Sequence, residues 1–143
     1  MKKLLYSFLL LSSATLFAQK NPATKFAVAN DIVGTVDMFT MHKDAVKGSQ
    51  VYKTAASLPQ NLKKYSSIAE NGLVEYKFKT GQDNIDRLPL SDLNIQYMIP
   101  EETPVYIDGY EFTNTKTLVF GDILTKMEAK DKDGKKTLFI TTK

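Results

Sequence analysis

Cysteine is absent from the 143 residues, histidine occurs once, at His42, and arginine once, at Arg87. Without cysteine the chain has no disulfide, no thiolate nucleophile and no cysteine-based metal site, and a lipid anchor on a cysteine at a signal-cleavage point is excluded. One histidine and no G-x-S-x-G stretch leave a serine hydrolase without its usual base and nucleophile turn. His42 sits in a polar, lysine-rich stretch and reads as an exposed side chain without partners, whose removal is expected to change stability by no more than about 0.5 kcal/mol. Nucleic acid is not an expected partner, because nearly all cations are lysines and arginine supplies the bidentate contacts to bases and phosphates.

Long apolar runs are also lacking after the first residues, which read "MKKLLYSFLLLSSATLFAQK". Lys2 and Lys3 precede an apolar run from Leu4 to about Leu16, and a small residue stands at Ala18, the order of a secretory signal peptide over residues 1–18. The run is shorter than the roughly 20 residues of a membrane-spanning helix, so the mature chain is expected to have no transmembrane segment. Removing the two lysines brings the formal charge of +3 close to neutral. Residues 19–143 have the size of one secreted domain in the periplasm, at the outer-membrane periphery or outside the cell.

The chain shows no internal repeat and no low-complexity tract. "FAVANDIVGTVDMFTM" fits neither period cleanly, but β-branched Ile32, Val33, Thr35 and Val36 favour strand. Residues 42–57 are polar and broken by Gly48, and are expected to form turns with one short strand around Val51. Leu62, Tyr65, Ile68 and Ala69 recur at helical spacing before Gly72, which predicts a short amphipathic helix with a left-handed cap. "LVEYKFK" alternates strictly and predicts a strand; "TGQDNIDRLP" is a loop. "SDLNIQYMI" predicts a second helix, with Ser91 as N-cap, Leu93, Tyr97 and Met98 on one side and Pro100 after its end.

The last forty or so residues read as paired strands: "VYI" and "YEF" about Asp108-Gly109, then "ILTKMEA" and "KTLFITT" joined through Asp133-Gly134. Asp-Gly suits the two positive-φ positions of a type I′ turn, so Asp108 is expected to be a turn residue that asparagine replaces at little cost. "DKDG" at Asp131–Gly134 is a turn rather than a calcium loop, whose twelfth position needs a glutamate where this chain has Thr142. The pairs Glu101/Glu102 and Asp83/Asp86 lie in loops, and nothing in the pattern sets them across a cleft. Tyr97, Tyr106, Tyr110 and Phe112 are the candidate binding face, set against the plainer reading that alternate strand residues pack a core. No catalytic residue, metal or cofactor is expected.

Residues 104–143 resemble a shortened plug domain of TonB-dependent outer-membrane receptors. The carrying stretches are "PVYIDGYEF", "GDILTKMEAKD" and "DGKKTLFITTK". The chain departs from that family in lacking its helical, alanine-rich insertion between the last two strands, where "KDKDGK" stands. It is also too short for a receptor barrel, whose many strands need about 9–11 residues each. The resemblance implies a plug-like α+β fold, with two short helices on a mainly antiparallel or mixed sheet, and no catalytic residue. The expected function is contact with another cell-envelope protein. The alternative is a small periplasmic peptide- or glycan-binding protein; an enzyme ranks last for want of a nucleophile and base.

Overall fold

The computed structural model describes residues 19–143; the predicted signal peptide lies outside the described residues. The fold is α+β. Strands β1 (Phe26–Ala29) and β2 (Ile32–Thr35) form an antiparallel hairpin. Its turn is Asn30-Asp31, with φ of +52° and +61°, the left-handed pair of a type I′ turn. All eight strand residues are buried, so β1 and β2 read as a continuous apolar run rather than an alternation. Helix α1 (Val36–Met41) follows where the β-branched residues suggested strand: the Thr35 hydroxyl accepts a hydrogen bond from the Met38 N–H at 3.2 Å and caps it.

Strand β3 (Val46–Tyr52) is longer than the short strand expected around Val51. The amphipathic segment after it is a 3₁₀ helix, Gln60–Ile68, not an α-helix. Its buried residues Leu62, Tyr65 and Ile68 are spaced by three, which eclipses them along one edge of a helix of three residues per turn. Gly72 has φ of +88°, as predicted, and there a Cβ would stand 2.8 Å from the Tyr52 carbonyl oxygen; the glycine turns the chain into β4 (Leu73–Phe78).

β5 (Arg87–Pro89) lies in the stretch expected to be loop, and helix α2 (Leu90–Gln96) follows without a break. Ser91 is not its N-cap. Pro89 holds that position, and the Leu90 and Ser91 amides donate to the Thr117 and Thr115 carbonyls at 3.1 and 2.8 Å. Met98, at φ +57°, turns the chain out of the helix before Pro100. The remaining strands are β6 (Val105–Ile107), β7 (Tyr110–Phe112), β8 (Leu118–Phe120), β9 (Lys126–Lys132) and β10 (Lys135–Thr141). Ile123 and Leu124 stand outside β9; Ile123 ends a 3₁₀ turn, Gly121–Ile123.

Two sheets result, ordered β3-β4-β1-β2-β8-β5 and β7-β6-β10-β9. The wiring of the first four strands recurs in β6, β7, β9 and β10. β1 pairs antiparallel with β2 and parallel with β4, which pairs antiparallel with β3. In the same way β6 pairs antiparallel with β7 and parallel with β10, which pairs antiparallel with β9. Asn30 and Asp108 open the two turns, and Lys43–Ala45 and Gly121–Ile123 form 3₁₀ turns before β3 and β9, all at one constant sequence offset. The internal repeat that the sequence hides is therefore a repeat of strand order. Along the ungapped stretch from Phe26 to Lys53 only Thr35/Thr113 and Asp44/Asp122 are identical pairs. The units differ between their last two strands: the first inserts the 3₁₀ segments of 55–68, the second turns tightly at Asp133-Gly134, with φ of +53° and +80°.

The units are joined through β8, which pairs parallel with β2, and through β5, which pairs with β8. One cluster of buried side chains runs through both sheets. Phe26 of β1 stands at the joint, its ring edge-on to Tyr110 and Phe112 of β7 at 5.2 and 5.8 Å.

Candidate interaction surface

The four residues of the predicted aromatic face do not share a face. Val105 pairs with Phe112 and Ile107 with Tyr110, and this row points inward, leaving Tyr110 and Phe112 only 2% and 6% exposed. Tyr106 points to the opposite side, where it stacks on Phe139 at 5.4 Å beneath the Lys132 ammonium. Tyr97 is the C-cap of α2, and its carbonyl accepts a hydrogen bond from Lys136 Nζ at 2.7 Å. Tyr110 and Phe112 are thus core residues, placed there by the period-two alternation of β7. The Tyr110 hydroxyl takes a hydrogen bond from Asn71 Nδ2 at 2.8 Å, and burial raises its pKa.

Asp108 and Gly109 form the predicted turn, with φ of +49° and +84°. Asp108 does more than shape the turn. Its Oδ2 accepts from the hydroxyls of Thr24 and Thr142 at 2.8 and 2.5 Å, and its Oδ1 accepts from the Thr142 N–H at 3.0 Å. Its backbone N–H donates to the Ile140 carbonyl and its carbonyl accepts from the Asn21 N–H, both at 2.8 Å. One aspartate thus ties the incoming segment, the hairpin and the last strand together. Asparagine offers one acceptor oxygen in place of two, so near-neutral replacement is not what this geometry supports. Its partners lie far away in sequence, which is why local turn chemistry did not point to them.

His42 has a partner, contrary to expectation: its Nε2 lies 2.6 Å from Asp122 Oδ2, joining the end of α1 to the 3₁₀ turn before β9. Both side chains are partly exposed, and among the described residues no serine or other nucleophile is hydrogen-bonded to the histidine. Among the described residues no group of three His, Asp or Glu side chains is placed to hold a metal ion, and no helix is long and apolar enough to cross a membrane.

The sheet edges differ more than any pocket does. β3 is the outer strand of the six-stranded sheet; residues 47–51 are all exposed, and Val51 is 58% exposed. A groove of about 460 Å³ runs along one of its faces, lined by Val36, Val51, Val74 and Tyr76, with Lys25 and Lys53 at its rim. The other face of β3 opens on a second groove with Lys47 and Lys77. Among the described residues Glu75 is the one carboxylate lining either groove. β9 is the corresponding edge of the second unit and is self-paired: Lys126 and Lys130 both reach Glu128, at 3.3 and 3.2 Å, and Lys132 reaches Asp133 at 3.5 Å. Lys130, and after it Lys126, holds the Glu128 carboxyl below its usual pKa.

No family model matches the chain, and no curated protein or solved structure matches it.

Proposed function

We propose that the protein is an exported, non-catalytic envelope protein with a plug-like domain, which works by contact with another protein of the cell envelope. The observation that carries this reading is the open edge of β3, a seven-residue strand with exposed backbone at the rim of a six-stranded sheet. Export rests on the order of basic, apolar and small residues in the first eighteen positions, and plug-like character on the three C-terminal stretches. Tagged protein recovered from cells by fractionation and intact mass should lack residues 1–18 and lie beyond the inner membrane. In-cell crosslinking should then join it reproducibly to one envelope protein. A chain that keeps Met1 and fractionates with the cytosol would refute the reading.

A second reading, a small glycan- or peptide-binding protein, is favoured by half-buried Tyr106, which stacks on buried Phe139 beneath the Lys132 ammonium. The chain has no tryptophan, so a sugar seated there should change the tyrosine fluorescence. Loss of that response in Tyr106→Ala would support this reading.

A further inference from the structure

We infer that the free edge of β3 receives an extended, acidic segment of a partner protein as an added strand; this rests on the contact reading and names the chemistry of the partner. The backbone geometry comes first. A Cβ on Gly72 would stand 2.8 Å from the Tyr52 carbonyl oxygen, which places that oxygen on the β4 side. Tyr52 is opposite Leu73 and Gln50 opposite Glu75, and alternation in an antiparallel ladder then turns the N–H and C=O groups of Ser49 and Val51 to the open side. On that side the Gln50 side-chain amide reaches the Val51 carbonyl at 3.5 Å, and among the described residues no further strand pairs with β3.

Charge selects the occupant. Among the described residues none of Lys25, Lys47, Lys53 and Lys77 has an ion-pair partner, and Glu75 is the one carboxylate in the two grooves. An added strand sends alternate side chains to opposite faces. On one face it meets the apolar strip of Val51, Val74 and Tyr76 with lysines at the rim; on the other it meets Lys47 and Lys77. A segment alternating apolar and acidic residues fits both. A second copy of this edge does not, because it would bring like charges together.

The test uses the mature protein and blocked peptides of alternating glutamate and valine, or lysine and valine, followed by amide hydrogen exchange and binding isotherms. The glutamate peptide should bind saturably and slow exchange at Ser49 and Val51, and the lysine peptide should bind at least about tenfold more weakly. Val51→Pro removes an outward N–H at an edge position that tolerates proline, and should weaken binding about tenfold or more. Should the proline variant fail to fold, Val51→Glu, which sets a like charge against the acidic segment at the same place, should weaken the glutamate peptide instead. The Lys47→Glu, Lys53→Glu double variant should reverse the preference between the peptides. Equal binding of both peptides, protection on another edge, no glutamate-peptide binding, or self-association through β3 in sedimentation would each overturn the inference. An envelope partner crosslinked elsewhere, with no peptide bound at β3, overturns it while leaving the contact reading intact. Peptide binding by a chain that proves cytosolic does the reverse.

Discussion

The first unit, β1 to β4, and the second, built from β6, β7, β9 and β10, share one wiring and finish their outer edges in opposite ways. β9 carries lysines that share Glu128 and Asp133, a row of paired charge along its edge. β3 places Gly48, Ser49, Gln50 and Val51 at the same edge and leaves the neighbouring lysines unpaired. An exposed strand edge invites association, and of the two equivalent edges the fold leaves β3 the more open. The turns differ too. Asn30-Asp31 adopts its left-handed turn without glycine, whereas Asp108-Gly109 adds a carboxylate that clamps two distant segments.

Breaking the joint between the units carries the largest expected effect. Phe26→Ala removes a fully buried ring that stacks edge-on against two aromatics of the second unit, and should cost about 3–5 kcal/mol in urea unfolding. If the units are one cooperative body the loss appears in a single transition; two separate transitions would show that they fold independently.

The turns come next. In Gly109→Val a Cβ would lie 2.0 Å from the Gln19 carbonyl oxygen in a left-handed conformation, and thermal unfolding should report a loss of at least about 2 kcal/mol. The equivalent residue of the first unit behaves differently. In Asp31→Gly, relief of the left-handed aspartate offsets the exposed Lys64 ion pair, and stability should stay within about 0.5 kcal/mol.

The first positions of the turns differ in the same sense. Asp108→Ala forfeits three hydrogen bonds to a carboxylate and should cost about 2–3 kcal/mol, with Asp108→Asn near 1 kcal/mol. Asn30→Ala should cost at most about 1 kcal/mol, the left-handed preference alone. Equal losses at Asn30 and Asp108 would remove the clamp from the account.

The smallest effect is in alkali. Burial raises the pKa values of Tyr65, Tyr76 and Tyr110 in the folded chain. Their contribution is complete below the unfolded tyrosine pKa of about 10 and is lost as pH rises through the raised values. The melting temperature should therefore be level just below about pH 10 and fall above it. Tyr65→Phe and Tyr110→Phe should each flatten part of that fall.

Legibility in the sequence followed the range of the interactions. β4, the β6–β7 hairpin and the Asp133-Gly134 turn were readable because alternation and turn chemistry act between near neighbours. β1 and β2 were blurred because burial on both faces erases alternation, and α1 because its first residues are β-branched. β5 and β8 are three residues each and gain their form by pairing with each other. The repeat stayed hidden since strand order survives with almost no shared residues. At the surface, the lysines around β3 were visible, but not that β3 is an edge. The bonds of Asp108 to Thr24 and Thr142, and of His42 to Asp122, join residues that only the fold brings together.

The claim that one edge works and its equivalent is guarded is tested most directly by site-specific photocrosslinking in intact cells. Val51 lies opposite Val74 on β3, and Ala129 lies opposite Leu138 at the matching place on β9. A photoreactive residue at position 51 should trap one discrete envelope protein, while the same residue at position 129 should trap none. Equal crosslinking from both positions, or crosslinking from position 129 alone, would contradict the account.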